Sequence, residues 1–255
     1  VAGVGGHLLN MVLSFISRMV FIRYLAAAYL GVNGLFSDIL GMLNLAELGI
    51  GSAMIFSMYK PAAEDNREEL GRLMNLYRML YRIVAAFVLV VGLALLPFLD
   101  VLIKGDSGIE NLRIIYLVYL GNSVCSYLLS YKNSILLAYQ KAYVRTVIEQ
   151  LLRTMQMILQ IVVLALTGNF LLYLALQIGT LMMTNAVVAF KVDRDYPYLR
   201  DEKRLPDKEK RKDILKNIMA MGMHRFGSVI VSGTDNLIMS AFVGLTSVGI
   251  YSNYR

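Results

Sequence analysis

RTMQMILQIVVLALTGNFLLYLALQIGTLMMTNAVVAFK, residues 153–191, holds 37 uncharged residues between Arg153 and Lys191. One helix crossing the roughly 30 Å hydrocarbon core of a bilayer uses about 20 residues, so the run is too long for a single crossing. The Thr167-Gly168-Asn169 cluster supplies the turn that divides it into a helical hairpin. Working outward, uncharged runs at 83–99 and 114–131 are each long enough for one further span. Segments at about 3–25 and 35–58 are apolar apart from one or two charges. A seventh, more polar segment covers about 214–243, and an eighth begins near Ser247. The pattern predicts an all-α, polytopic transmembrane helix bundle of six complete spans, a seventh, and the start of an eighth.

Composition agrees. The 255 residues are 57% hydrophobic and 17% charged, against about 45–50% and about 25% for soluble domains, which argues against a water-soluble enzyme. Cys125 is the single cysteine and no HxxH or CxxC spacing occurs, so neither a disulfide scaffold nor a metal site is expected, and no cofactor is implied. The net charge of +7 is a matter of location. On alternate connections, 57–83, 139–153 and 191–216 hold 18 Lys and Arg, whereas 23–37, 100–113 and 167–170 hold three. By the positive-inside rule the N-terminus is cytoplasmic, and the basic balance reflects orientation rather than nucleic-acid binding. The charged run KVDRDYPYLRDEKRLPDKEKRKD, 191–213, reads as a solvated cytoplasmic linker between two membrane lobes. The domains expected are a first six-helix lobe at 1–190, this basic linker at 191–213, and the truncated start of a second lobe at 214–255. We read the chain as the amino-terminal half of a longer protein.

Polar side chains recur at helical spacing within the apolar spans. His7, Asn10, Ser14 and Arg18 share one face of the first; Ser37, Gly41, Asn44, Glu47 and Gly51 line the second. Ser123, Ser126, Ser130 and Asn133 follow in the fourth, and Glu149, Arg153, Gln156 and Gln160 in the fifth. His224, Ser228, Ser232 and Asp235 mark the seventh, with Arg225 beside them. Small polar residues serve ordinary helix packing as readily as a cavity. Ionisable groups at depth are the sharper functional candidates, although Arg and Lys near a span's end also snorkel to the interface. Arg18 is the leading cation, with Lys132, Arg153 and Arg225 behind it. The cavity-lining polar candidates are His7, Asn10, Ser14, Asn44, Ser123, Ser130, Gln156 and Ser232, and Glu47 and Asp235 are candidates for ion coupling. A weak repeat at an offset of 215, Gly34-Leu35-Phe36-Ser37 against Gly249-Ile250-Tyr251-Ser252, aligns the first span with the seventh.

Four segments carry a family resemblance: YLGVNGLFSDILGMLNLAELGIGSAMIFSMYKPAAEDN (29–66), MNLYRMLYRI (74–83), LLSYKNSILLAYQKAY (128–143) and TDNLIMSAFVGLTSVGIYSNY (234–254). Together they resemble the polysaccharide biosynthesis transporters of the MOP (multidrug/oligosaccharidyl-lipid/polysaccharide) flippase superfamily, in the branch found in Gram-positive bacteria. The resemblance implies a MATE-like V of two six-helix lobes in the bacterial plasma membrane. It also implies movement of an undecaprenyl-pyrophosphate-linked oligosaccharide from the inner to the outer leaflet, with a polysaccharide polymerase as a partner; a carboxylate at depth, Glu47 or Asp235, would carry a coupling proton or sodium ion. Arg18, with Lys132, Arg153 and Arg225, would then meet the pyrophosphate. Two other functions fit less well. A multidrug exporter of the same superfamily calls for a more apolar cavity, and a membrane-embedded glycosyltransferase or polymerase rests only on the D-x-D at Asp193-Arg194-Asp195.

Overall fold

The computed structural model describes residues 2–25, 27–43, 47, 49–99, 103, 109, 111–244 and 247–249, and within these the side chains outside 2–9, 27 and 224–237. Their regular elements are all helical: α1 (Ala2–Tyr24), α2 (Ala27–Leu43), α3 (Ile50–Ala63), α4 (Arg67–Leu95), α5 (Leu112–Ser130), α6 (Asn133–Ala138), α7 (Ala142–Thr167), α8 (Phe170–Asp195), α9 (Tyr198–Asp201) and α10 (Lys208–Phe242). A 3₁₀ turn, Leu96–Phe98, extends α4. Four described segments, Arg67–Phe98, Leu112–Ser130, Ala142–Thr167 and Phe170–Asp195, are long and apolar enough to cross a membrane.

The expected hairpin lies at 167–170. Gly168 closes α7 in the left-handed region (φ 59°), with its N–H on the Leu164 carbonyl at 3.0 Å. Asn169 then caps α8, its Oδ1 accepting from the Leu172 N–H at 3.2 Å. Around this pair, α1 packs on α7, α5 packs on both α4 and α8, and α10 packs on α2 and α3. Phe36 meets Tyr116 and Tyr119 edge to face at 5.2 and 5.8 Å, which joins α2 to α5 in the core.

The second expected span is corrected. It is not one helix over 35–58 but two: α2 ends at Leu43 and α3 begins at Ile50. Gly49 stands in the left-handed region (φ 89°) just before α3, a conformation that interrupts a right-handed helix and that L side chains rarely adopt.

Two boundaries also move. α4 begins 16 residues before the uncharged run and, at 29 residues, is roughly 44 Å long, more than the hydrocarbon core. Its first half is amphipathic: Asn66 caps it by accepting from the Glu69 N–H at 3.1 Å, Glu68 and Glu69 suit the helix dipole, and Leu70, Leu73 and Leu76 are buried. α10 likewise starts at Lys208 rather than near 214, within the charged run.

That run does not float. Asn75 on α4 donates its amide to the carbonyls of Glu202 (2.6 Å) and Arg204 (3.2 Å), and Lys210 pairs with Glu69 at 2.6 Å. Tyr196 is buried and stacked on Tyr139 at 5.0 Å. The segment expected to be solvated is therefore docked, because opposite charges and aromatic rings inside it find partners on α4 and beside α6. The Arg204 N–H bonded to Glu202 at 2.7 Å holds that carboxyl below its usual range. A depressed carboxylate stabilises the folded form above its unfolded pKa, and this contribution is lost as pH falls through the folded value. The eighth segment and the second copy of the repeat fall largely on 250–255, outside the described residues.

Candidate functional site

Arg145, Glu149, Arg153, Gln156 and Gln160 follow one another on α7 at steps of four, four, three and four, so they form one stripe roughly 22 Å long. α8 faces it with Tyr173, Gln177, Thr180 and Thr184 at the same spacing. The two stripes line two adjoining cavities. One, of about 310 Å³, adds Ser14, Ser17 and Arg18 from α1 and Asn33 from α2. The other, of about 250 Å³, adds Asn122 from α5 and Asn185 from α8. Arg153, Gln156 and Gln177 line both, so the cavities make one continuous polar groove.

Side-chain hydrogen bonds order the groove. Gln160 donates to the Tyr173 carbonyl at 3.0 Å and accepts from Gln156 at 3.3 Å. Thr154 donates to Asn10 at 2.9 Å, fixing α1 against α7. The groove is cationic: Arg18, Arg145 and Arg153 stand against one carboxylate, Glu149, which pairs with Arg145 at 3.3 Å. Arg153 is exposed to the groove and forms no ion pair among the described residues. Asn122 Oδ1 and Asn185 Nδ2 are buried and have no hydrogen-bond partner among the described residues, which leaves polar valence for a ligand.

Of the expected site residues, the structure brings Arg18, Ser14, Arg153 and Gln156 together here, with Asn10 supporting the wall. Ser123 and Ser130 lie on α5 outside the groove lining; both are turned into packing, and Ser130 Oγ has no partner among the described residues. Lys132 is removed from the groove: its ammonium bonds both Asp193 oxygens at 2.6 Å, and Arg200 reaches the same carboxylate at 2.7 Å. That cluster also occupies the D-x-D, since Asp195 pairs with Lys191 at 2.9 Å. Asp193→Asn leaves a largely buried ammonium without its counter-charge. It is expected to cost about 1–3 kcal/mol, seen as a lower unfolding midpoint of the purified protein.

Glu47 also stands apart, in the break between α2 and α3. Tyr81 donates to its carboxylate, Tyr77 donates to Tyr81 at 3.0 Å, and Tyr127 bonds the same carboxylate. Asn44 and the side chains of His7, Arg225, Ser232 and Asp235 lie outside the described residues. Arg145, Asn122 and the whole α8 stripe were missing from the sequence expectation, although Gln177, Thr180 and Thr184 repeat at the helical interval that marked the other stripes. Among the described residues no group of three or more His, Cys, Asp or Glu is placed to hold a metal ion.

No protein-family model matches the chain, and no curated protein matches it. Among solved structures it superposes on an inward-facing multidrug resistance MATE family transporter of the MOP superfamily. The TM-score is 0.66 over 98% of this chain at 17% sequence identity. The match spans 60% of that transporter's length. The chain thus has an all-α, MATE-like fold and spans less than two thirds of the transporter on which it superposes.

Proposed function

We propose that the chain is part of a transporter that carries an undecaprenyl-pyrophosphate-linked oligosaccharide from the inner to the outer leaflet of a bacterial plasma membrane by alternating access, with its N-terminus cytoplasmic. The observation that carries this reading is the polar groove, in which three guanidinium groups meet one carboxylate among otherwise apolar helices. A pyrophosphate leaving water must exchange hydration for charge-assisted hydrogen bonds, and planar guanidinium forks suit phosphate oxygens. Arg18 and Arg153 are the proposed phosphate contacts. Gln156, Gln177, Thr180 and Asn185 supply amides and hydroxyls for sugar hydroxyls, while the tail stays in hydrocarbon. Lys132 is left out of this assignment because Asp193 occupies it. Arg225 remains a proposed pyrophosphate contact and Asp235 a proposed ion-coupling carboxylate. Glu47 is the proposed coupling carboxylate: it sits between α2 and α3, where binding or loss of a cation would rearrange the tyrosines of α4 and α5 that bond it.

The test is reconstitution of the full-length protein in liposomes carrying a fluorescent lipid-linked oligosaccharide in the inner leaflet. Appearance of the sugar outside supports the proposal, and absence of translocation by a correctly folded protein overturns it. A multidrug exporter is the second reading. It is favoured by the superposed transporter and by an apolar cavity of about 400 Å³ between α7 and α8, lined by Met155, Leu159, Val163, Leu172 and Met183. It predicts drug efflux, with no transfer of the lipid-linked sugar.

A further inference from the structure

A third cation cluster lies outside the groove, where α4 passes from charged to apolar sequence. Arg78 and Arg82 are one turn apart on α4, and Ile83 opens the run that continues uncharged to 99. Lys203 reaches the same place from the docked linker, and these three cations border a cleft of about 390 Å³ with Asn75 at its head. Its floor is apolar, formed by Met79, Ile83, Ala86 and Leu205.

The cleft is built, not incidental. Arg78 donates to Asn75 Oδ1 at 2.8 Å, while the same amide's nitrogen holds the Glu202 and Arg204 carbonyls on either side of Lys203. One side chain therefore orients a guanidinium on α4 and fixes the linker that brings the lysine. No carboxylate lines the cleft, and none of the three cations forms an ion pair among the described residues. Glu202, next to Lys203, is taken up by the N–H of Arg204.

The apolar floor points to the occupant. Met79, Ile83, Ala86 and Val90 fall at i, i+4, i+7 and i+11, and Met79, Ile83 and Val90 are exposed by 39, 57 and 65%. The stripe leads from the cations down the outer face of α4 for about 17 Å. A soluble phosphate would use the cations and leave the stripe bare. An amphiphile with an anionic head and acyl chains uses both.

We propose that the cleft bounded by Arg78, Arg82 and Lys203 binds the headgroup of an acidic phospholipid, whose chains lie along Met79, Ile83 and Val90. The bound lipid bridges α4 and the linker, fastening the connection between the lobes to the membrane surface. This rests on the membrane placement of α4 and not on what the groove transports, so it stands or falls separately from the substrate.

The test uses the full-length protein in mixed micelles, offered phosphatidylglycerol or phosphatidylcholine, with retained lipid counted by native mass spectrometry. Phosphatidylglycerol is expected to be preferred, and Arg78→Gln/Arg82→Gln/Lys203→Gln to reduce that preference by at least roughly tenfold, each cation near an anionic headgroup contributing severalfold. Lys203→Glu, a change at one exposed linker side chain, is expected to reduce it roughly tenfold alone and keeps the test open if the triple variant misfolds. The control Lys60→Gln/Lys208→Gln/Lys212→Gln removes the same charge elsewhere and is expected to leave the preference intact. Equal loss in the control, an unchanged preference in Lys203→Glu, or full displacement by millimolar inorganic phosphate would each overturn the proposal, the last by making the ligand a soluble anion.

Discussion

Gly49→Ala is expected to destabilise the protein by about 2–5 kcal/mol, because two independent penalties meet at one Cβ. The first is local. At φ 89° an alanine takes a conformation that costs an L residue about 1–2 kcal/mol. The second is tertiary. A Cβ built at Gly49 falls 2.4 Å from the Ile218 carbonyl oxygen and 2.7 Å from the Gly222 N, both backbone atoms of α10. A backbone cannot rotate away as a side-chain tip can, so α10 must shift off the α2–α3 break, and overpacking of this kind costs about 1–3 kcal/mol more. Gly168→Ala separates the two terms. Gly168 is also left-handed, at φ 59°, but a Cβ there meets nothing within 4 Å. Thermal unfolding of the detergent-purified protein should therefore show a drop for Gly49→Ala at least twice that for Gly168→Ala. Equal drops would mean that close contact with α10 contributes nothing.

Gly168 and Gly49 also mark what was and was not legible in the sequence. The hairpin at 167–170 could be read because a run of 37 uncharged residues cannot be one crossing, and a Gly-Asn pair at its middle has a known part in ending one helix and capping the next. The break before α3 carries the same residue type. However, Ala46-Glu47-Leu48-Gly49 sits inside a segment of ordinary length for one span, so nothing in the pattern required a turn. Only the approach of α10, more than 160 residues away in sequence, gives Gly49 its reason. The charged run was misread for a related cause. Periodicity and composition see that 191–213 is polar, but Lys132 with Asp193, Asn75 with Glu202, and Glu69 with Lys210 are pairings across 61 to 141 residues. A polar segment whose charges are matched elsewhere looks, in sequence, the same as one that is solvated. The α8 stripe is different: Gln177, Thr180 and Thr184 were in view and spaced as the other stripes are, so no long-range pairing was needed to find them.

Arg18→Gln/Arg153→Gln is expected to lower translocation of a lipid-linked oligosaccharide by at least roughly 100-fold, with each single change costing roughly tenfold. Each guanidinium removed takes one or more charge-assisted hydrogen bonds, about 1.5–3 kcal/mol apiece, from a doubly anionic group inside an apolar bundle. The glutamines keep hydrogen-bonding capacity and much of the volume, so a loss measures charge and fork geometry rather than a collapsed groove. Arg18→Lys/Arg153→Lys keeps the charge without the fork and should recover part of the rate, since a point charge still attracts phosphate but cannot bind it in two places. The comparison also separates the two transport readings by sign. Three guanidiniums against one carboxylate repel an organic cation, so in an exporter of cationic drugs the double glutamine variant should transport as well as the parent or better. A lipid-linked pyrophosphate makes the same variant the worst of the series. Unfolding midpoints within about 2 °C of the parent would show that the lobe is intact. With that control, normal sugar export in the double variant would remove Arg18 and Arg153 from the substrate path.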